Sequence, residues 1–187
     1  MNFEELIARR VTESVETKQN LLDSQMNAIG EAAQLLVAAY ASGKKSLWFG
    51  NGGSAADAQH IAAELVGNYY LERKALPALA LPTDPSSVTA IANDLGFDRI
   101  FARQVEAFGQ QGDVAVGITT SGRSANVIEG LRTAAALGLT TIVLCGSSPP
   151  DLAIDCVIPV PSSDTPRVQE CHALVGHILC EIVEASI

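Results

Sequence analysis

Lys45-Ser46-Leu47-Trp48-Phe49-Gly50-Asn51-Gly52-Gly53-Ser54 decides how the rest of the chain is read. The apolar run predicts a buried strand over 45–49, the glycines a sharp turn, and Ser54 the start of a helix running to about Val66. A strand, a Gly-rich turn and a helix N-terminus make an anion cradle. Glycines let backbone N–H groups approach a ligand, and the helix dipole favours negative charge there. His60 and Glu64 then interrupt the apolar pattern of the helix. They are four apart and share one face. An imidazole and a carboxylate just past an anion loop mark a candidate site.

Outward from that stretch, residues 2–42 read as helical, without proline and with Leu21, Leu22, Ile29, Ala32, Ala33 and Leu36 at helical spacing. Gly43 stops the second helix of this segment. Such a preface needs an apolar partner, either one face of the sheet or another subunit. Downstream, strands are predicted over 76–81, 113–118, 140–144 and 156–160, with helices over 85–95, 98–108, 123–137 and 166–186. Continuous apolar strands alternating with helices predict an α/β fold, a five-stranded parallel sheet covered on both faces. The expected organisation is a single domain: a helical segment 1–43 and an α/β core 44–187.

A formal charge of −9 and a pI near 4.7 count against nucleic acid and anionic membrane surfaces as partners. They leave an anionic small molecule open, because local geometry holds a phosphate. Cys145, Cys156, Cys171 and Cys180 lie far apart with no C-x-x-C, which fits reduced core thiols. With no apolar run near a membrane-spanning length, a cytoplasmic protein is expected.

In a parallel sheet, ligands bind beyond the carboxyl ends of the strands. One such end is the Gly50 loop. Another is Thr119-Thr120-Ser121-Gly122-Arg123-Ser124, which offers hydroxyls, a glycine and a helix N-terminus. An ordinary N-cap explains one or two of those hydroxyls; their density favours phosphate binding. On the last helix, with Thr165 as cap and Pro166 at the first position, Gln169, Ala173 and His177 share one stripe. His172 lies about 140° from His177 around that helix, so the two cannot face one pocket. Taken singly, His177 is more often a core histidine than a catalyst, and Glu170 has no assigned role. Asn93-Asp94 is read as a polar pair in a helix break, either an Asx turn or a binder of hydroxyls. Thr83-Asp84-Pro85 reads as a helix cap. Gly50-x-Gly52-x-x-Ala55 formally matches a dinucleotide fingerprint, but neither Glu72 nor Asp84 supplies the acidic residue in the right place.

Gly50-Asn51-Gly52-Gly53-Ser54-Ala55-Ala56-Asp57-Ala58-Gln59-His60, Glu64, Asn93-Asp94, Thr120-Ser121-Gly122-x-Ser124-x-Asn126-Val127, Asp164-Thr165-Pro166-Arg167-Val168-Gln169-Glu170-x-His172 and His177 occur in this order. In combination they resemble the phosphoheptose isomerases, of the sugar-isomerase (SIS) fold. The resemblance implies a SIS-type sandwich whose N-terminal helices pack in a homotetramer with shared sites. It implies conversion of sedoheptulose 7-phosphate to D-glycero-D-manno-heptose 7-phosphate, the first step of bacterial ADP- or GDP-heptose synthesis for lipopolysaccharide or capsule. By position, Asn51, Gly52, Gly53 and Ser54 would line the substrate, Asn93 and Asp94 bind hydroxyls, and Thr119, Thr120, Ser121 and Ser124 hold the phosphate. Gln169 would touch the substrate as well. Glu64 and His177 would be the acid/base pair. His60, Glu64, Gln169 and His177 would hold zinc, one per subunit. Thr119, Arg123, Asn68 and the 145–150 loop depart from the usual pattern. The alternatives are a non-catalytic SIS scaffold that binds a replication initiator, which tends to lack the glutamate, or an isomerase of another phosphosugar.

Overall fold

The structure, a computed structural model, describes residues 2–187. Phe3–Ala41 is one helix, α1, of 39 residues, about 58 Å long at 1.5 Å per residue. More than one helix was expected in this segment. Gly30 is its one interior glycine, costs about 1 kcal/mol, and cannot break so long a helix without a proline. The Asn2 side chain caps it, accepting the Glu4 N–H at 3.1 Å, and Glu4 and Glu5 sit at the positive end of its dipole.

The chain continues as β1 (Ser46–Gly50), α2 (Gly53–Val66), β2 (Ala78–Ala80), α3 (Pro85–Leu95), α4 (Ile100–Phe108), β3 (Val114–Thr119), α5 (Ala125–Ala136), β4 (Thr140–Cys145), β5 (Cys156–Pro159) and α6 (Thr165–Ser186). β2 is shorter than expected. The Leu76 N–H is spent on the Leu65 carbonyl at 3.1 Å, Pro77 has no N–H to give, and Leu81–Thr83 closes into a 3-10 turn. Asn93-Asp94 lies in the last turn of α3, not in a helix break; the break falls at Gly96. The cap of α6 is Asp164, one residue earlier than expected, with Pro166 still in the first turn. As expected, Asp84 caps α3 by accepting the N–H groups of Ser86 and Ser87.

The five strands are all parallel, in the order β2-β1-β3-β4-β5. Side chains alternate faces along each strand. Leu47 and Phe49 join Ala115 and Val143 in a core under α4 and α5. Trp48 joins Val116, Ile142 and Leu144 in a second core under α1, α2 and α6. The order reverses direction between β1 and β3, so the loops after these two strands open side by side at the switch point, where open α/β sheets bind ligands. No helix of the described residues is long and apolar enough to cross a membrane.

His172 ties α6 to the end of β4, its Nε2 lying 3.2 Å from the Cys145 carbonyl oxygen. Burial pushes its pKa down to about 4, and the Cys145 bond only partly opposes this. Between the ordinary value of 6.5 and that value, the unfolded chain binds the extra proton. Stability from this site is therefore complete above the unfolded value and falls on acidification through the window, by up to about 1.4 kcal/mol per pH unit. Denaturant midpoints at about pH 7 and about pH 5 should separate more in the wild type than in His172→Gln. Equal separations would exclude His172 as the titrating group.

Candidate active site

Two helices start at the switch point, and neither is capped by a side chain. The cap of α2 is Gly52, in the left-handed region at φ 57°, where a side chain would be strained. The cap of α5 is Ser124, whose hydroxyl bonds to the Thr119 hydroxyl at 2.9 Å instead of to its own helix. The first N–H groups of α5 are thus left for a ligand, whereas in α2 the Ser54 and Ala55 N–H groups already donate to the carbonyls of Asn51 and Gly52 at 3.0 and 3.1 Å. The ordinary N-cap reading of the hydroxyl loop fails on this point. Asn51 and Asn126 join the loops by exchanging amide hydrogen bonds at 2.8 and 2.9 Å. Beside them, Thr120, Ser121, Arg123, Ser148, Ser163 and Thr165 line a cleft of about 250 Å³. The Arg123 backbone N–H donates to Ser121 Oγ at 3.2 Å. Ser54 and Thr119 are buried behind this surface.

The chemistry-bearing side chains come from α2 and α6. His60 Nε2 lies 3.3 Å from Glu64 Oε1 and 3.3 Å from His177 Nε2. The two imidazoles meet nearly edge-on, with centroids 4.8 Å apart. Two ring nitrogens so close repel unless a proton or a cation lies between their lone pairs. The side chain of Glu64 is 27% exposed, so this side of the site opens outward. Gln169 lies across the first turn of α2. A Cβ on Gly53 would stand 2.2 Å from its Nε2, so the bare α-carbon of Gly53 makes room for it.

A zinc ion can be tested against this geometry. Donors about 2.0–2.1 Å from a tetrahedral zinc lie about 3.3 Å from each other, and both His60 separations have that value. Among the described residues, no three His, Cys, Asp or Glu side chains already close into a cage. The three here form a chain hinged at His60 Nε2, and side-chain rotation has to bring the ends together with Gln169 as a neutral fourth donor. The donor set fits on those terms.

The structure thus brings together His60, Glu64 and His177, sets Gln169 against Gly53, and separately joins Asn51 to Asn126 and Thr119 to Ser124 at the hydroxyl loop. It does not bring Asn93 and Asp94 to either group. Among the described residues their one side-chain hydrogen bond is to each other, at 2.7 Å, and no residue of α3 is buried. Glu170 is engaged elsewhere, paired with Arg167 and 3.9 Å from Lys18. His172 is buried away from His177, as its helical angle predicted.

Two residues of the site carried no assigned role. Tyr69 stacks on His177, with centroids 5.6 Å apart and planes 29° from parallel; an aromatic in an irregular loop has no periodicity to betray it. Asp57 lies on α2 with a buried, unpartnered Oδ2. Burial pushes its carboxyl up while the His60 charge pulls it down. Its place three residues before His60 was a signal that could have found it.

The sequence pattern of the SIS domain family matches residues 11–146, and the chain is a SIS domain in sequence and in fold. The phosphoheptose isomerase of Aquifex aeolicus is 50% identical over 185 residues, 98% of this chain and 97% of its own. That of Sulfurimonas denitrificans is 48% identical over 185 residues, 97% and 95% of the two chains. The structure of the phosphoheptose isomerase from Neisseria gonorrhoeae superposes with a TM-score of 0.90 at 40% identity, over 98% of this chain and 100% of that one. A phosphoheptose isomerase from Francisella tularensis gives 0.95 at 35%, over 99% and 100%. The chain belongs to the phosphoheptose isomerase family.

Proposed function

We propose that this chain interconverts sedoheptulose 7-phosphate and D-glycero-D-manno-heptose 7-phosphate. The observation that carries the reading is the placement of Glu64 and His177 on either side of His60, beside paired hydroxyl and glycine loops. The phosphate docks on the N–H groups at the start of α5 and on Thr120, Ser121 and Ser124. Asn51 and the turn at Gly52 and Gly53 orient the sugar. Glu64 takes a proton from C1 of the ketose, leaving a cis-enediol. Return of a proton to C2 completes the aldose, while His177 moves protons between the O1 and O2 oxygens. Each acid/base group contributes on the order of 10²–10⁴-fold. Zinc, held by His60, Glu64, Gln169 and His177, would polarise the carbonyl and order the diol oxygens. In this role the enzyme serves cytoplasmic heptose synthesis for the bacterial surface. The intact Glu64, Gln169 and His177 set disfavours a vestigial scaffold.

The same reading includes a homotetramer, which the surface of α1 supports. Phe3, Ile7, Val11, Val15, Leu22 and Met26 form an exposed apolar stripe on α1, next to an apolar groove of about 620 Å³ that Leu174 and Ile178 of α6 also line. A stripe and groove of this kind need an apolar cover.

The test is turnover of sedoheptulose 7-phosphate by protein as purified, after chelation and after zinc is restored. Turnover that chelation removes and zinc restores supports both enzyme and metal. Turnover indifferent to chelation removes the metal alone. A wild type inactive under every condition overturns the isomerase reading and favours another phosphosugar.

A further inference from the structure

Residues 67–77, between α2 and β2, form neither helix nor strand. They fold around one carboxylate. Glu184, two turns past His177 on α6, is 5% exposed. It accepts the backbone N–H groups of Tyr69 at 3.0 Å, Tyr70 at 2.6 Å and Leu71 at 2.8 Å. Arg73 Nε stands 3.2 Å away in an ion pair buried on both sides. Burial works to raise the Glu184 carboxyl, but the three N–H donors and Arg73 outweigh it and hold it below the ordinary carboxylate range.

Both ends of this hub reach the reacting groups. At one end Tyr69 is stacked on His177. At the other, Arg73 donates from Nη2 to the backbone carbonyl of Glu64 and from Nη1 to that of Leu65, each at 2.9 Å. It thereby satisfies the last carbonyls of the helix that carries Glu64. A carboxylate serving only to finish a loop would not need to join these two residues.

We propose that Glu184 is a positioning residue of the isomerase: by gathering the N–H groups of residues 69–71 and Arg73, it holds Tyr69 against His177 and fixes the last turn of α2 behind Glu64. The inference rests on the reading of Glu64 and His177 as the acid/base pair. Glu184→Gln puts an NH2 group among donors and should lower kcat about tenfold to a hundredfold, with KM within about twofold. Tyr69→Leu leaves the hub intact and should lower kcat similarly, whereas Tyr69→Phe keeps the ring and should stay near wild type. Because the two residues act as one unit, the double variant should be little worse than the poorer single one.

The same variants carry a readout that needs no turnover. With histidines labelled for NMR, the His177 ring resonances should move in Glu184→Gln and in Tyr69→Leu, while those of buried His172 stay. An inactive wild type would overturn the acid/base reading, and the His177 resonances would still report on the positioning. Wild-type kcat in Tyr69→Leu, multiplicative losses in the double variant, or unmoved His177 resonances would each overturn the proposal. Should Glu184→Gln fail to fold, the Tyr69 variants decide.

Discussion

Glu64→Gln is expected to bind sedoheptulose 7-phosphate within a few-fold of the wild type and to turn it over about a hundredfold to ten-thousandfold more slowly. The amide has the shape of the carboxylate and still offers an oxygen to His60 Nε2, which stands 3.3 Å from Glu64 Oε1. The Arg73 clamp uses the backbone carbonyl of residue 64, which the substitution leaves in place. What disappears is the lone pair basic enough to take a proton from carbon. Calorimetric affinity beside kcat separates the two roles. Retained kcat would remove Glu64 from the chemistry. Loss of affinity together with kcat would make it a binding residue, as a metal ligand also is.

Gly53→Ala is expected to lower kcat/KM by about a hundredfold while leaving the melting temperature nearly unchanged. The new methyl meets the amide end of Gln169, at 2.2 Å from Nε2 and 2.8 Å from Cδ. That end is flexible and swings away at little cost, and alanine suits the first turn of a helix better than glycine. The fold is therefore spared and the Gln169 contact is lost. Gln169→Ala should match it, and the double variant should lose no more than either alone. A Gly53→Ala enzyme with wild-type kcat/KM would show that the position of Gln169 does not matter to catalysis.

The sheet was legible because its strands are buried on both sides. Val114–Thr119 and Thr140–Cys145 are continuous apolar runs with little ambiguity. β2 was misjudged because a hydrogen bond from Leu76 back to α2 ends the ladder, and composition does not announce such a bond. Within the site, His60 and Glu64 could be read from helical spacing, since both lie on one element. The approach of His177 to His60 spans 117 residues, and only a family resemblance can supply such a pairing from sequence. Tyr69 and Glu184 escaped for the same reason. One sits in a loop without period, and the other looks like a solvated glutamate near the end of an amphipathic helix.

The second core has a consequence for biosynthesis. It joins Leu21 and Leu36 of the first helix to Val175 and Val183 of the last, so a helix synthesised before the sheet is completed by one synthesised after it. Until residues 165–186 emerge, the sheet face that includes Trp48 and Ile142 lacks one of its three covering helices. Elongation at about 5–20 residues per second leaves that surface uncovered for seconds. The nascent chain is most open to wrong association in that interval.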